Sequence, residues 1–389
     1  MAEITVISLI LIPIIDIFSI PFHPAIIFIL YLSLNRLNSI SNITVILSLI
    51  ATPILAEWQS FALFSNSTIN LRSVYSGLPL ALSVLSFYLF HREGLPKQRI
   101  FRIFLLAGAL LSVITVLNLT IQSAQFYHAI GWIPEHRLPI YDKYSIVIAP
   151  LGNPNNTAVI VALVTISLLF LQPELLFRRV TRFFLYFILL LLFIALFYTY
   201  ARTVVAAMFV CLVVFYMIRT TKNPRKHFPL ALVAGAGLIG GTAMTFFGTG
   251  LNYYLTIFRF WEADSLIVRI DHFMGVIHAM NLEFTSYLIG HGYYESALMS
   301  LKHDTIIDSN FLYILIQFGI IGGVLFVCGI RHKNWFTYRG VLLAIFLTIT
   351  SSTLPYLSDF RLGILLSALV AFNLSAYNNS EDTQSPEPE

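Results

Sequence analysis

Apolar runs of about 17–22 residues recur along the whole chain, divided mostly by short polar joints. Inside hydrocarbon, backbone N–H and C=O groups must find partners within the protein, so only helices or closed barrels can span it. Barrel strands alternate apolar and polar residues, and these runs do not, so helices are expected. Composition agrees: of 389 residues, 58% are hydrophobic and 11% charged, more apolar surface than a soluble domain can bury. The reading is an all-α polytopic integral membrane protein with about twelve transmembrane helices. The spans fall roughly at 3–20, 22–35, 41–63, 73–90, 101–122, 155–172, 182–200, 203–219, 229–248, 309–330, 337–353 and 361–377. If the first two, joined at Pro21–Pro24, form one broken pair, the number is about eleven. Met1-Ala-Glu3 offers no basic leader, so the first run reads as a retained helix.

Basic residues are distributed unequally between the two sides. Loops after even-numbered spans hold Arg36; Arg92, Lys97, Arg99 and Arg102; Arg178, Arg179 and Arg182; Arg219, Lys222, Arg225 and Lys226; Arg331, Lys333 and Arg339. The opposite side holds Arg72, Arg137, Lys143, Arg202, Arg259, Arg269, Lys302 and Arg361, the minority of the 23 Lys and Arg. Cytoplasmic loops retain basic residues, so both termini are expected in the cytoplasm. Insertion gives no reason for the outward arginines, which makes them candidates for function.

Two outward segments, about 123–154 and 249–308, exceed what a connector needs. The second is aromatic and contains an amphipathic stretch from Arg269, so short helices are expected within it. The tail from 377 to 389 is acidic, polar and Pro-containing, and is expected to be disordered.

Several outward groups could carry chemistry. Arg202, in Tyr-Thr-Tyr-Ala-Arg-Thr, sits at a span junction. It is either an interfacial anchor or a guanidinium that grips phosphate through forked hydrogen bonds. Arg259, Asp264, Arg269 and His272 alternate with aromatics at helical spacing. They form either the ion pairs of an interfacial helix or a set of cations, proton acceptors and sugar platforms. His303, Asp304 and Asp308 precede Ser309-Asn310, which could simply cap the next helix. Gly290-His-Gly292 reads as a tight turn. Gly152-Asn-Pro-Asn155 reads as a helix start. Histidine spacing supports no metal site, and Cys211 and Cys328, inside apolar runs, read as packing residues. No phosphate-loop or dinucleotide motif occurs, so neither nucleotide coupling nor another cofactor is expected.

In chain order, Gly152-Asn-Pro-Asn155, Tyr200-Ala-Arg202-Thr, Arg269, Gly290-His-Gly292 and Asp308-Ser-Asn310-Phe-Leu-Tyr-Ile-Leu-Ile-Gln-Phe-Gly319-Ile-Ile-Gly322 resemble the O-antigen polymerase and ligase (Wzy/WaaL) superfamily. The resemblance covers roughly residues 150–330. It implies a glycosyltransferase of lipopolysaccharide biosynthesis in the bacterial inner membrane. Such an enzyme acts on an undecaprenyl-pyrophosphate-linked oligosaccharide at the periplasmic face, without metal or nucleotide sugar. Membrane lipid, a chain-length regulator and a flippase are the implied partners, and nucleic acid is not among them. Arg202 and Arg269 would bind pyrophosphate, with Arg259 and Arg361 as supporting cations. His272, His303 and Asp308 are the candidate proton acceptors, and Asp264, Asn155 and Asn310 the candidate sugar contacts. The ligase branch carries a histidine directly before the Asn that opens the following span. Ser309 stands there instead, which favours the polymerase. Residues 1–376 would then be the transmembrane polymerase domain, with 123–154 and 249–308 as periplasmic loops.

The competing readings are an O-antigen ligase, a transporter and a scaffold. A transporter of anionic substrates would carry charges near mid-membrane, where only Asp16 and Glu57 fall. A scaffold leaves the large outward loop without a purpose.

Overall fold

A computed structural model describes residues 9, 15–17, 20–34, 40–63, 77–91, 97–118, 129, 154–171, 182–199, 201–220, 284–292, 309–352, 354 and 356–375. Eleven helices of six residues or more can be followed. They are α1 (Pro24–Leu34), α2 (Ile40–Leu63), α3 (Leu78–His91), α4 (Lys97–Asn118), α5 (Pro154–Ile166), α6 (Arg182–Tyr198), α7 (Arg202–Thr220), α8 (Phe284–Ile289), α9 (Asn310–Gly329), α10 (Tyr338–Ser351) and α11 (Phe360–Ser375). α5 continues into a wider π turn over Ser167–Leu171. These helices answer ten of the expected spans, while the span at 229–248 lies outside the described residues.

The first expected span is corrected in part. Ile15–Ile17 and Ile20–Phe22 form an antiparallel hairpin, β1 and β2, with Ile15 opposite Phe22 and Ile17 opposite Ile20. Pro13 inside the expected span and Pro21 inside β2 disfavour a continuous helix here, and isoleucine favours the extended backbone. The described chain is therefore helical apart from this hairpin.

By length and composition, α9 is the one described helix able to cross a membrane, and most of the others include shorter apolar stretches. The outer surface of the bundle is apolar. Leu106, Tyr186, Leu190, Val324 and Val327 are all exposed, a surface that a bilayer would cover.

α11 occupies the centre, and every residue from Phe360 to Ser375 is buried. A helix apolar on all sides belongs in such a core. Its closest partner is α3. A methyl on Gly363 would strike Ser83 Oγ, and Ser86 Oγ donates to the Ile364 carbonyl at 3.1 Å. Small residues on both helices permit that approach, and a hydroxyl bond locks it.

Hydrogen bonds give the directions of the helices. Asn334 Nδ2 donates to the Leu374 carbonyl at the end of α11 (2.6 Å). The His332 ring lies 3.9 Å from that of His91, at the end of α3. α3 and α11 therefore run parallel. α9 does too: it starts beside Leu357, just before α11, and ends at Ile330, whose carbonyl accepts from Trp335 Nε1 (2.8 Å). α4 turns back from α3, with Phe104 against Phe90 and Phe372, and Leu111 and Thr115 buried further along. Gly108 then meets Val164 of α5, and Ser167 Oγ accepts from Asn373 Nδ2 (2.8 Å). α5 thus runs in the same direction as α11. The bundle has two polar ends, one at His91 and His332, the other at Asn310 and Arg361.

Candidate functional site

At the Arg361 end, the start of α9 serves as an organiser. Ser309 is its N-cap: Oγ accepts from the Phe311 amide (3.2 Å) and donates to the Ser351 carbonyl (3.1 Å). Asn310 Oδ1 accepts from the Leu357 amide (2.8 Å), and its Nδ2 donates to Ser351 Oγ (3.3 Å). The link from α10 to α11 is thereby pinned onto α9. Sequence reasoning left the Asp308-Ser-Asn310 group between capping and function. The cap is Ser309, and the Asn310 amide is engaged with the protein at both of its atoms.

The pinned link carries Asp359. Its Oδ1 accepts from the Arg361 amide (2.9 Å) and its carbonyl from the Gly363 amide (2.9 Å), so it caps α11. Its Oδ2 meets Arg361 Nη2 at 3.4 Å. Arg361 is 7% exposed, its Nε is buried, and among the described residues the guanidinium makes only that one hydrogen bond. On α5, Asn155 is partly exposed, behind Pro154 at the first helical position, where a missing N–H costs nothing. Thr157 follows within the first turn, fully buried, and its Oγ1 has no partner among the described residues.

Arg202 is the first residue of α7. The Ala201 carbonyl accepts from the Val204 and Val205 amides (3.0 and 3.1 Å), which fixes the start of that helix. Arg259, Asp264, Arg269, His272, His303 and Asp308 lie outside the described residues. Of the ten site residues read from sequence, the described structure gathers Asn310 and Arg361 at one end and places Asn155 and Arg202 in the first turns of α5 and α7.

The Gly-His-Gly turn has a partner that the sequence did not reveal. Gly290 and Gly292 have φ of 79° and 82°, and α9 leaves helical geometry at Gly319 (φ 63°, ψ −168°). In an unbroken helix the Ile316 carbonyl would bond to Ile320; instead it accepts from the His291 amide at 2.6 Å. A Cβ on Gly290 would stand 2.7 Å from Gln317 C, Phe318 N and Gly319 N. A Cβ on Gly319 would meet the Leu288 carbonyl and the Gly290 amide. The two backbones touch because neither residue has a side chain. α8 and the turn are thereby seated in the break of α9, with His291 half-buried and its Nε2 buried.

At the opposite end, His332 Nδ1 accepts from the Asn334 amide (3.2 Å). Burial, followed by the neighbouring His91 and Lys333, pushes the His332 pKa down to about 4.

Residues 187–327 match the family described as O-antigen ligase. The match runs from α6 through α7, the 221–309 segment and most of α9, well under half of the chain. It takes in Arg202, Arg269, the Gly-His-Gly turn and Gly319, and leaves out Asn155, Thr157, Asp359 and Arg361. No curated protein and no solved structure matches the chain. Sequence reasoning missed Thr157 and Asp359, and it named Gly319 only as part of the resembling stretch, without the break that this residue makes in α9.

Proposed function

We propose that this chain is a membrane glycosyltransferase that polymerises lipid-linked oligosaccharide repeat units on the periplasmic side of the bacterial inner membrane. The observation that carries the reading is the family match over 187–327, the stretch that holds Arg202 and Arg269. The Arg361 end of the bundle is its periplasmic end, and both termini are cytoplasmic. α7 packs against α10, with Cys211 Sγ donating to the Leu342 carbonyl (3.4 Å). An antiparallel pairing of the two would carry Arg202 to the Ser351 end of the bundle.

The chemistry needs little beyond charge and orientation. Arg202 and Arg269 neutralise the pyrophosphate as the bond between the anomeric carbon and the phosphate oxygen breaks. The acceptor hydroxyl forms the new bond to that carbon and gives its proton to a base among His272, His303 and Asp308. The leaving group is the polyprenyl pyrophosphate, which keeps the oxygen of the broken bond and stays in the membrane. Removing one such preorganised donor raises the barrier by about 3–4 kcal/mol. Arg202→Ala and Arg269→Ala should each leave only short glycans on a sizing gel at normal expression. Long chains in both variants would remove the proposed role.

The name of the matching family favours a second reading, an O-antigen ligase that transfers glycan to the lipid A-core. Gene deletion separates the two. Loss of a polymerase leaves core carrying one repeat unit, and loss of a ligase leaves it bare.

A further inference from the structure

α9 carries a stripe that its own bundle leaves uncovered. Ile320, Val324 and Val327 are all exposed, and their i, i+4, i+7 spacing sets them on one face of the helix. At i+11, just past the C-cap Ile330, the same face reaches Arg331, which is exposed as well.

The link that follows is pinned from several sides. His332 Nδ1 accepts from the Asn334 amide (3.2 Å), Asn334 Nδ2 donates to the Leu374 carbonyl (2.6 Å), and Thr337 Oγ1 donates to the Asn334 carbonyl (2.7 Å). Lys333–Phe336 is a 3-10 turn, in which residues three apart stand above one another. Lys333 and Phe336 are such a pair, and both are exposed, Phe336 at 92%. A ring so bare on so fixed a backbone serves something outside the protein's own core.

Two cations therefore stand beside apolar surface with nothing to neutralise them. Neither Arg331 nor Lys333 has an ion pair or a side-chain hydrogen bond among the described residues. Residues 310–358 contain no Asp or Glu. A second copy docking through the same stripe would bring cation against cation. An anionic phospholipid fits instead, because its acyl chains can lie along the stripe while its phosphate meets the cations at the stripe's end.

We infer that the α9 stripe and the α9–α10 link form a docking site for an anionic glycerophospholipid of the phosphatidylglycerol type. Arg331 and Lys333 hold its phosphate, and Phe336 enters the boundary between headgroups and chains. A lipid held there fixes the α9–α10 link in the plane of the headgroups. The site lies at the His332 end of the bundle, away from Arg361, and it stands or falls separately from glycosyl transfer.

The test uses the full chain in nanodiscs of mixed phosphatidylcholine and phosphatidylglycerol, with retained lipids counted by native mass spectrometry after release. Wild type should keep phosphatidylglycerol over phosphatidylcholine. Arg331→Gln and Lys333→Gln should each lower that preference roughly fivefold, and together by more than about tenfold. Phe336→Ser should reduce retention of both lipids alike, because it removes apolar contact and no charge. Arg102→Gln is the control: it deletes an exposed cation on α4 and should leave the preference unchanged. Thermal unfolding in detergent checks each fold, and if the double variant does not fold, the single ones carry the test. Equal loss in Arg102→Gln, or no loss in Arg331→Gln and Lys333→Gln, overturns the inference. So does a dimer that carries no phosphatidylglycerol, which would assign the stripe to a second copy.

Discussion

The seat of the Gly-His-Gly turn in α9 and the Arg361 corner of α11 solve opposite problems. At the seat, two backbones approach until no methyl fits, and the carbonyl freed by the break is taken up by the His291 amide. At the corner, side chains are buried yet keep donors unspent. Closed packing with its backbone groups satisfied is how a fold holds its shape, whereas burial without satisfaction is a cost that the rest of the fold must offset.

The largest effect should come from the closed side. Gly319→Ala combines a left-handed backbone with direct collision against Leu288 and Gly290, and should destabilise the protein by about 2–5 kcal/mol. Thermal unfolding in detergent measures it, and an unchanged midpoint would break the comparison. Asn310→Ala, which orphans the Leu357 amide, should lose about 1–3 kcal/mol by the same measurement. A smaller effect is expected with pH. His332 holds its proton less tightly when folded, near pH 4 against 6.5, so the unfolded chain takes up a proton first as pH falls. Stability should be fully present above about 6.5 and decline toward 4. His332→Asn, which keeps a capping oxygen, should flatten that decline. The smallest change belongs to the open side. Arg361→Gln gives up a single 3.4 Å contact to Asp359 and removes a buried guanidinium whose Nε has no bond among the described residues. The two effects offset, so stability should change less than in Gly319→Ala. A loss as large as that of Gly319→Ala would make Arg361 a structural residue.

Much of the helical order was legible because apolar run length and helix-start chemistry are local properties. The starts at Pro154 and Ser309-Asn310 follow from such signals, and ten expected spans have a helix in the described residues. The hairpin at 15–22 escaped because hydropathy does not distinguish a short strand from a helix, although Pro13 and Pro21 were there to be weighed. At the site, Arg361 stood out as an arginine on the side poor in basic residues. Asp359 and Thr157 could not, since their interest lies in burial and unmet bonding, which only tertiary packing creates. The same holds for the pairing of Gly290 with Gly319, roughly thirty residues apart, where each glycine alone suggests only a local bend.

The bond from Ser86 to Ile364 spans 278 residues, so α3 is synthesised long before the helix that covers it. At about 5–20 residues per second, the serine face of α3 waits roughly 15–55 seconds on the ribosome's clock for its partner. Until then its hydroxyls must bond within their own helix, as Ser83 does with the Pro79 carbonyl, or borrow a temporary neighbour. Translation that halts before residue 360 would leave an insertion intermediate with an open furrow, ready substrate for membrane quality control.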